Sequence, residues 1–277
     1  MDTVDSSRPP VSAAAAPLDL AAVRAALDAV GRRMVGLLEA VPDPEAPTRG
    51  LAWTLGETSL HVAGGPAVYA DFALGRRIPE PTIDLGPVLA RQMASQSERA
   101  PSVLARRFEA NLHRYLAETA ELSPTHPVPF FGGLTIELAT QSAILLGEFV
   151  VHGRDIARSI GYRWPIDPTE ARLIIAAITA LLPRYVDPAN ATGLTATYEI
   201  RLRGGPSFDV RFDRGSAVVG PPDDTAADCR LVADPVTFML VTYGRRTQWP
   251  AILRGRSRAW GRRPWLGLRF QRLFARP

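Results

Sequence analysis

The chain of 277 residues has no lysine, a single cysteine and no long apolar run. All 32 basic residues are therefore arginine, a bias that indicates a GC-rich genome rather than a particular chemistry. Because Cys229 has no second cysteine to pair with, an internal disulfide is excluded and the redox compartment is unconstrained. No stretch approaches the roughly 20 apolar residues that a membrane span requires.

The first seventeen residues are rich in serine, proline and alanine. Asp2 and Asp5 stand where a secretory signal needs positive charge, and the alanine run 13–16 is too short for its apolar core. We therefore expect residues 1–17 to be a disordered leader on a soluble, cytoplasmic protein. The remaining length is enough for one large domain or two ordinary ones.

Apolar residues recur at helical spacing in four segments of the first half of the chain. We predict helices over residues 18–41, 54–74, 101–122 and 134–159. Thr54 and Glu57 form a capping-box pattern at the start of the second helix, and Gly161 is a plausible stop for the fourth. Four helices joined by loops predict a bundle, and metal sites in bundles are built from side chains on facing helices.

The period of the apolar pattern changes after Trp164-Pro165. Alternation of apolar and polar residues predicts strands over residues 196–202, 208–213, 216–220 and 229–232. Helix starts are expected at Asp167 and Asp234. The fold class is therefore two-domain α+β: a bundle over residues 18–162 and an α+β domain with a small antiparallel sheet over residues 165–277.

Glu148 and His152 stand four residues apart on the predicted fourth helix, so they share one helical face with Leu145 and Phe149. A charge within such an apolar stripe costs several kcal/mol, on the order of the desolvation penalty of any buried ion, unless another group compensates the charge. His61 lies about two turns into the second helix. Two histidines and one carboxylate with open positions make a common catalytic zinc site. The alternative is that Glu148 bonds a core polar group and both histidines are structural.

Two acidic residues lie one helical turn from the expected ligands. Glu57 precedes His61, and Asp155 follows His152, so each carboxylate is a candidate to orient an imidazole from the second coordination shell. The alternatives are a capping role for Glu57 and a solvated position near the helix end for Asp155.

Two motifs carry a resemblance to a known family. Residues 53–61 (WTLGETSLH) and 148–155 (EFVVHGRD) resemble the DinB-like mycothiol-dependent maleylpyruvate isomerase family. That resemblance implies a metal-binding four-helix bundle with His61, Glu148 and His152 as ligands. Residues 228–234 and 253–264 are similar to the sterol-carrier-protein-like domain that follows the bundle in many members. The family resemblance also implies that an arginine of this second domain binds a carboxylate of the substrate or thiol, but several arginines are candidates for that role.

The resemblance implies a metal-dependent enzyme in which a divalent cation, zinc, activates a low-molecular-weight thiol, mycothiol, for attack on an electrophilic small molecule. The outcome is either cis–trans isomerisation or S-transfer, and the sequence does not decide between them. One alternative is a metal-free protein that binds a lipid or small molecule in its C-terminal domain. Another is a tailoring enzyme of secondary metabolism on the same scaffold.

The segment from Arg245 to the end contains ten arginines and no acidic residue. Trp249, Trp260 and Trp265 are interleaved with them, a pattern that also occurs in nucleic-acid-binding proteins. No recognition motif accompanies the pattern, so we interpret the segment as a solvated basic face, part of which attracts an anionic ligand. The expected partners are a small-molecule substrate and a thiol, with neither nucleic acid nor membrane.

Overall fold

The computed structural model describes residues 18–82, 84–223 and 227–275. The chain divides by its internal contacts into two units, one over residues 18–174 and one from residue 175 onward. The leader predicted over residues 1–17 lies outside the described residues. The domain boundary placed at residues 162–165 from the sequence stays a prediction.

Five helices belong to the first unit: α1 (Leu20–Glu39), α2 (Leu55–Ala73), α3 (Gly86–Ala94), α4 (Pro101–Glu118) and α5 (Leu138–Ile160). Helices α1 and α2 each pack against both α4 and α5, and these four helices form the predicted bundle. Phe108 of α4 and Phe149 of α5 meet edge to face inside it, with ring centroids 4.9 Å apart. The short α3 contacts α2 from outside this arrangement.

Local sequence signals account for the ends of the bundle helices. The side chain of Asp19 accepts hydrogen bonds from the first backbone N–H groups of α1, and the predicted apolar stripe of that helix is buried. The capping box of Thr54 and Glu57 begins α2. Gly161 ends α5 in the left-handed conformation, with φ of 72°, which a glycine adopts without steric cost.

A short β-hairpin precedes α5 and was not predicted. Strand β1 (Pro127–Phe130) pairs antiparallel with β2 (Leu134–Glu137), so the fourth bundle helix begins at Leu138 rather than at residue 134. The prediction was wrong there because a strand of four residues is too short for its alternating pattern to stand out from an adjoining helix.

Helix α6 (Pro168–Leu181) leads into the second unit, whose described residues form a five-stranded sheet and three short α-helices, besides short 3₁₀ segments. The strands and α-helices are α7 (Pro188–Ala191), β3 (Ala196–Leu202), β4 (Ser207–Asp213), β5 (Ser216–Gly220), β6 (Cys229–Ala233), α8 (Pro235–Thr242), α9 (Gln248–Leu253) and β7 (Ser257–Trp260). The strand order is β5-β4-β3-β6-β7. Three of the pairings are antiparallel, as predicted, while β3 and β6 run parallel.

One face of this sheet is apolar. Tyr198, Ile200, Phe208 and Val210 are buried in the core of the unit, and Cys229 is buried with them. Burial raises the pKa of the Cys229 thiol to about 11, so the thiol is protonated near neutral pH and is a core residue rather than a nucleophile. Within the described residues, no helix combines the length and apolarity needed to cross a membrane.

Candidate metal centre

The three residues predicted as ligands come together between α2 and α5. His61 lies in the second turn of α2, and its Nε2 is 3.2 Å from Oε2 of Glu148 on α5. Nε2 of His152, one turn further along α5, is 3.4 Å from the same oxygen. The three donor atoms all lie within 4.8 Å of one another, and no other group of this kind is found among the described residues.

A buried hydrogen bond between α2 and α5 favours one register of the two helices. Nε2 of Gln141 donates a hydrogen bond of 3.1 Å to the backbone carbonyl of Tyr69, and the Gln141 side chain is fully buried. Gln141 lies two turns before Glu148 on α5, and Tyr69 lies about two turns after His61 on α2. Because a buried amide without a partner costs about 1–3 kcal/mol, this bond favours the one register that brings the ligands together.

Contacts with the two histidines keep the carboxylate of the site ionised despite its partial burial. The side chains of His61, Glu148 and His152 are 17%, 28% and 12% exposed. Burial acts to raise the pKa of the Glu148 carboxyl, but the contacts with His152 and His61 more than offset it, and the pKa lies well below its usual range. Glu148 is therefore a charged acceptor, which is the form that coordinates a cation.

Asp155 lies on the far side of His152 from the donor atoms. Its Oδ2 is 3.7 Å from Nδ1 of His152, and the Asp155 side chain is 2% exposed. Nδ1 of His152 is itself buried and has no hydrogen-bond partner among the described residues. A carboxylate behind a histidine is the arrangement that orients ligand imidazoles in metal proteins. The solvated position considered for Asp155 does not occur, and its orienting role stays a prediction.

Glu57 has a structural role at the start of α2. Its Oε2 accepts a hydrogen bond of 2.9 Å from the backbone N–H of Thr54, while Oγ1 of Thr54 accepts one from the N–H of Glu57. This reciprocal pair is the capping box that the sequence indicated. Orientation of His61 by Glu57 stays a prediction, as does the binding of a carboxylate by an arginine of the second unit.

Trp53 also belongs to the site, although the sequence indicated it only as part of a motif. Its indole centroid lies 5.2 Å from the ring of His61 and 6.2 Å from that of His152. The two imidazoles meet edge to face, with centroids 5.0 Å apart. An aromatic residue directly before a capping box, eight residues before a candidate ligand, was the only available signal.

The comparisons with known proteins agree with this architecture. Residues 24–157 match the family model described as Mycothiol maleylpyruvate isomerase N-terminal domain. Among curated proteins, no sequence matches the chain. The crystal structure of the mycothiol-dependent maleylpyruvate isomerase is similar over 83% of this chain and 90% of that chain, with 14% sequence identity and a TM-score of 0.51. A mutant of that isomerase gives the same values.

A structure described as UbiJ-SCP2 ubiquinone synthesis protein is also matched. The match covers 36% of this chain and 92% of that chain, with 22% identity and a TM-score of 0.30.

The structure is that of a two-unit protein. A helical bundle with a cluster of two histidines and one carboxylate is followed by an α+β unit. Residues 24–157, a little under half of the chain, match the Mycothiol maleylpyruvate isomerase N-terminal domain, in line with the family resemblance of the two sequence motifs. The isomerase structure, at 14% identity, establishes a shared fold, and the predicted fold class is confirmed.

Proposed function

We propose that this protein is a metal-dependent enzyme that activates mycothiol for attack on an electrophilic small molecule. In the isomerase reaction the thiolate adds to a conjugated cis-alkene acid, the new single bond rotates, and loss of the thiol gives the trans isomer. An acceptor with a leaving group would instead give a thioether. The observation that carries the proposal is the convergence of the donor atoms of His61, Glu148 and His152 within 4.8 Å.

The distances from the carboxylate oxygen of Glu148 to the two imidazole nitrogens fit a zinc ion. Zinc binds imidazole nitrogen and carboxylate oxygen at about 2.0–2.2 Å in tetrahedral geometry, which places two neighbouring donors about 3.3–3.6 Å apart. The distances from Oε2 of Glu148 to the two Nε2 atoms are 3.2 Å and 3.4 Å. His61, Glu148 and His152 would supply three protein donors, the number that catalytic zinc sites use.

The chain's own residues prepare this site for a thiol. Glu148 supplies one negative charge, and His61 and His152 supply neutral donors. These residues would hold the ion with a net positive charge left over, and that charge would supply the stabilisation that a thiol needs to react as its thiolate. The charge of Asp155, whose Oδ2 is 3.7 Å from Nδ1 of His152, is proposed to favour the orientation of that imidazole with Nε2 toward the site.

Metal analysis of the purified protein tests the proposal. Wild-type protein is expected to hold about one zinc ion per chain. His61→Ala, Glu148→Gln and His152→Ala are expected to lose it. His113→Ala is the matched control, because His113 is an exposed histidine on α4 away from the cluster. Zinc retained by all three ligand variants, or absent from wild type, would contradict the proposal.

A second assay tests the thiol chemistry. Mycothiol and maleylpyruvate are mixed with zinc-loaded protein, and formation of the trans isomer is followed by absorbance. We expect turnover that requires both mycothiol and zinc and that His152→Ala abolishes. Zinc-loaded protein that accelerates neither isomerisation nor thioether formation with a panel of electrophiles would overturn the enzymatic assignment.

A further inference from the structure

The indole of Trp53 contacts both histidines of the candidate metal centre. The planes of Trp53 and His152 are 26° apart, so these rings lie nearly parallel, and the planes of Trp53 and His61 are inclined at 52°. With the edge-to-face contact between the imidazoles, the three rings form a closed set of pairwise contacts. Ring pairs with centroids 4.5–7 Å apart attract one another.

The backbone that carries Trp53 is itself fixed. Its carbonyl accepts a hydrogen bond of 2.9 Å from the N–H of Thr48. The buried hydroxyl of Thr48 is 2.9 Å from that of Thr58, one turn into α2. Thr54, the residue after Trp53, is the N-cap of that helix. The indole is therefore attached to the rigid start of the helix that presents His61.

Hydrogen bonds alone leave the imidazole of His152 weakly oriented. Ligand histidines are usually held by a hydrogen bond at the nitrogen that does not bind metal. In His152 that nitrogen has no hydrogen-bond partner among the described residues, and the nearby carboxylate oxygen of Asp155 is 3.7 Å away. The indole of Trp53 packs beside this imidazole, nearly parallel to it and with ring centroids 6.2 Å apart.

We propose that Trp53 is a positioning residue that holds both imidazoles with their Nε2 atoms directed at Glu148 before a metal ion arrives. This inference rests on the proposed function for its consequence, tighter zinc binding. The arrangement of the three rings is a property of the metal-free protein and does not depend on that consequence. Loss of the indole is expected to weaken zinc affinity about 10-fold or more, the effect usual for groups that orient ligands.

Proton NMR of the metal-free protein tests whether the indole of Trp53 contacts both imidazoles in solution. The ring protons of His61 and His152 are expected to show contacts with the indole of Trp53 and signals displaced by its ring current. His113 and His126, the other two histidines, serve as internal references. In Trp53→Leu the first two sets of signals should move toward ordinary values while the references stay unchanged. Wild-type protein without contacts between the indole and the two imidazoles would overturn the proposal.

Zinc competition with a chromophoric chelator tests the consequence. Trp53→Phe keeps an aromatic ring and should bind zinc more tightly than Trp53→Leu. Leu55→Ala removes a buried side chain from the first turn of α2 and controls for a loss of stability. Equal weakening in Leu55→Ala, or none in Trp53→Leu, would overturn the positioning role. If wild type binds no zinc but shows the NMR contacts, the proposed function fails and the positioning of the rings stands.

Discussion

The indole of Trp164 lies so close to Gly153 that a Cβ atom on residue 153 would be 2.3 Å from Cζ2 of the ring. Nε1 of the indole donates a hydrogen bond of 3.1 Å to the carbonyl of Val150, one turn earlier on α5. The guanidinium of Arg33 on α1 lies over the indole ring of Trp164, 5.1 Å from the ring centroid. Trp164 therefore packs against α5 at the residue that follows His152.

Gly153→Ala is expected to destabilise the protein. The new methyl group would meet three indole atoms at 2.3–2.9 Å, so the indole must move and its packing is lost. Overpacking of this kind costs about 1–3 kcal/mol in the free energy of unfolding. Thermal unfolding of the purified variant measures the loss. A midpoint equal to that of wild type would show that the contact yields without cost.

Gly64→Ala is the matched substitution with the opposite expectation. Gly64 lies inside α2, and a Cβ there meets nothing closer than Nε2 of Gln92 at 3.7 Å. Alanine is favoured over glycine in a helix interior by about 0.5–1 kcal/mol. We expect a higher unfolding midpoint than wild type in the same assay. A lower midpoint would indicate that the space beside Gly64 is tighter than the structure describes.

Asp155→Asn is expected to weaken zinc binding. The amide keeps the shape of the buried carboxylate but removes the charge that faces Nδ1 of His152 at 3.7 Å. Loss of a carboxylate behind a ligand histidine typically lowers metal affinity 10- to 100-fold, an order-of-magnitude range. Zinc competition measures the affinity. Asp28→Asn, which changes an exposed acid of α1, is the control and should bind zinc as wild type does.

The stability of the protein is expected to fall in alkaline solution partly because of Tyr115. This residue is fully buried, its hydroxyl is 2.7 Å from Oγ of Ser142, and burial raises its pKa to about 12. The unfolded phenol ionises from about pH 10, whereas the folded one stays neutral until about pH 12. Between these values each rise in pH favours the unfolded state, by up to about 3 kcal/mol in total.

Tyr115→Phe removes that titration. Its free energy of unfolding should be lower than that of wild type near neutral pH, by about 1 kcal/mol for the lost hydrogen bond. Between pH 10 and 12 the variant should lose less stability than wild type does. Urea unfolding at several pH values provides the comparison, and parallel curves across that window would contradict the role of Tyr115.

The bundle helices could be predicted wherever the signal was local. The stripe of apolar residues on α1 and the capping box of α2 lie within one helix each, and both are present. The start of α5 could not be predicted, because residues 134–137 form a strand only through pairing with residues 127–130. The parallel pairing of β3 with β6 likewise depends on contacts between distant segments.

In the candidate site, too, only the features that depend on local spacing could be predicted from the sequence. Glu148 and His152 share a face by their spacing alone, so their pairing could be predicted. His61 is 87 residues away from Glu148, and only the packing of α2 on α5 brings it to 3.2 Å. The contact of Trp53 with the imidazoles depends on the conformation of the loop before α2, which no local pattern specified.

An anomalous-difference map at the zinc edge, from crystals grown with zinc and a thiol, would locate the ion and its ligands in one experiment. We expect one strong peak about 2.0–2.2 Å from Nε2 of His61, Nε2 of His152 and a carboxylate oxygen of Glu148, with the thiol sulfur as a further ligand. A peak held by other residues, or none between α2 and α5, would contradict this expectation.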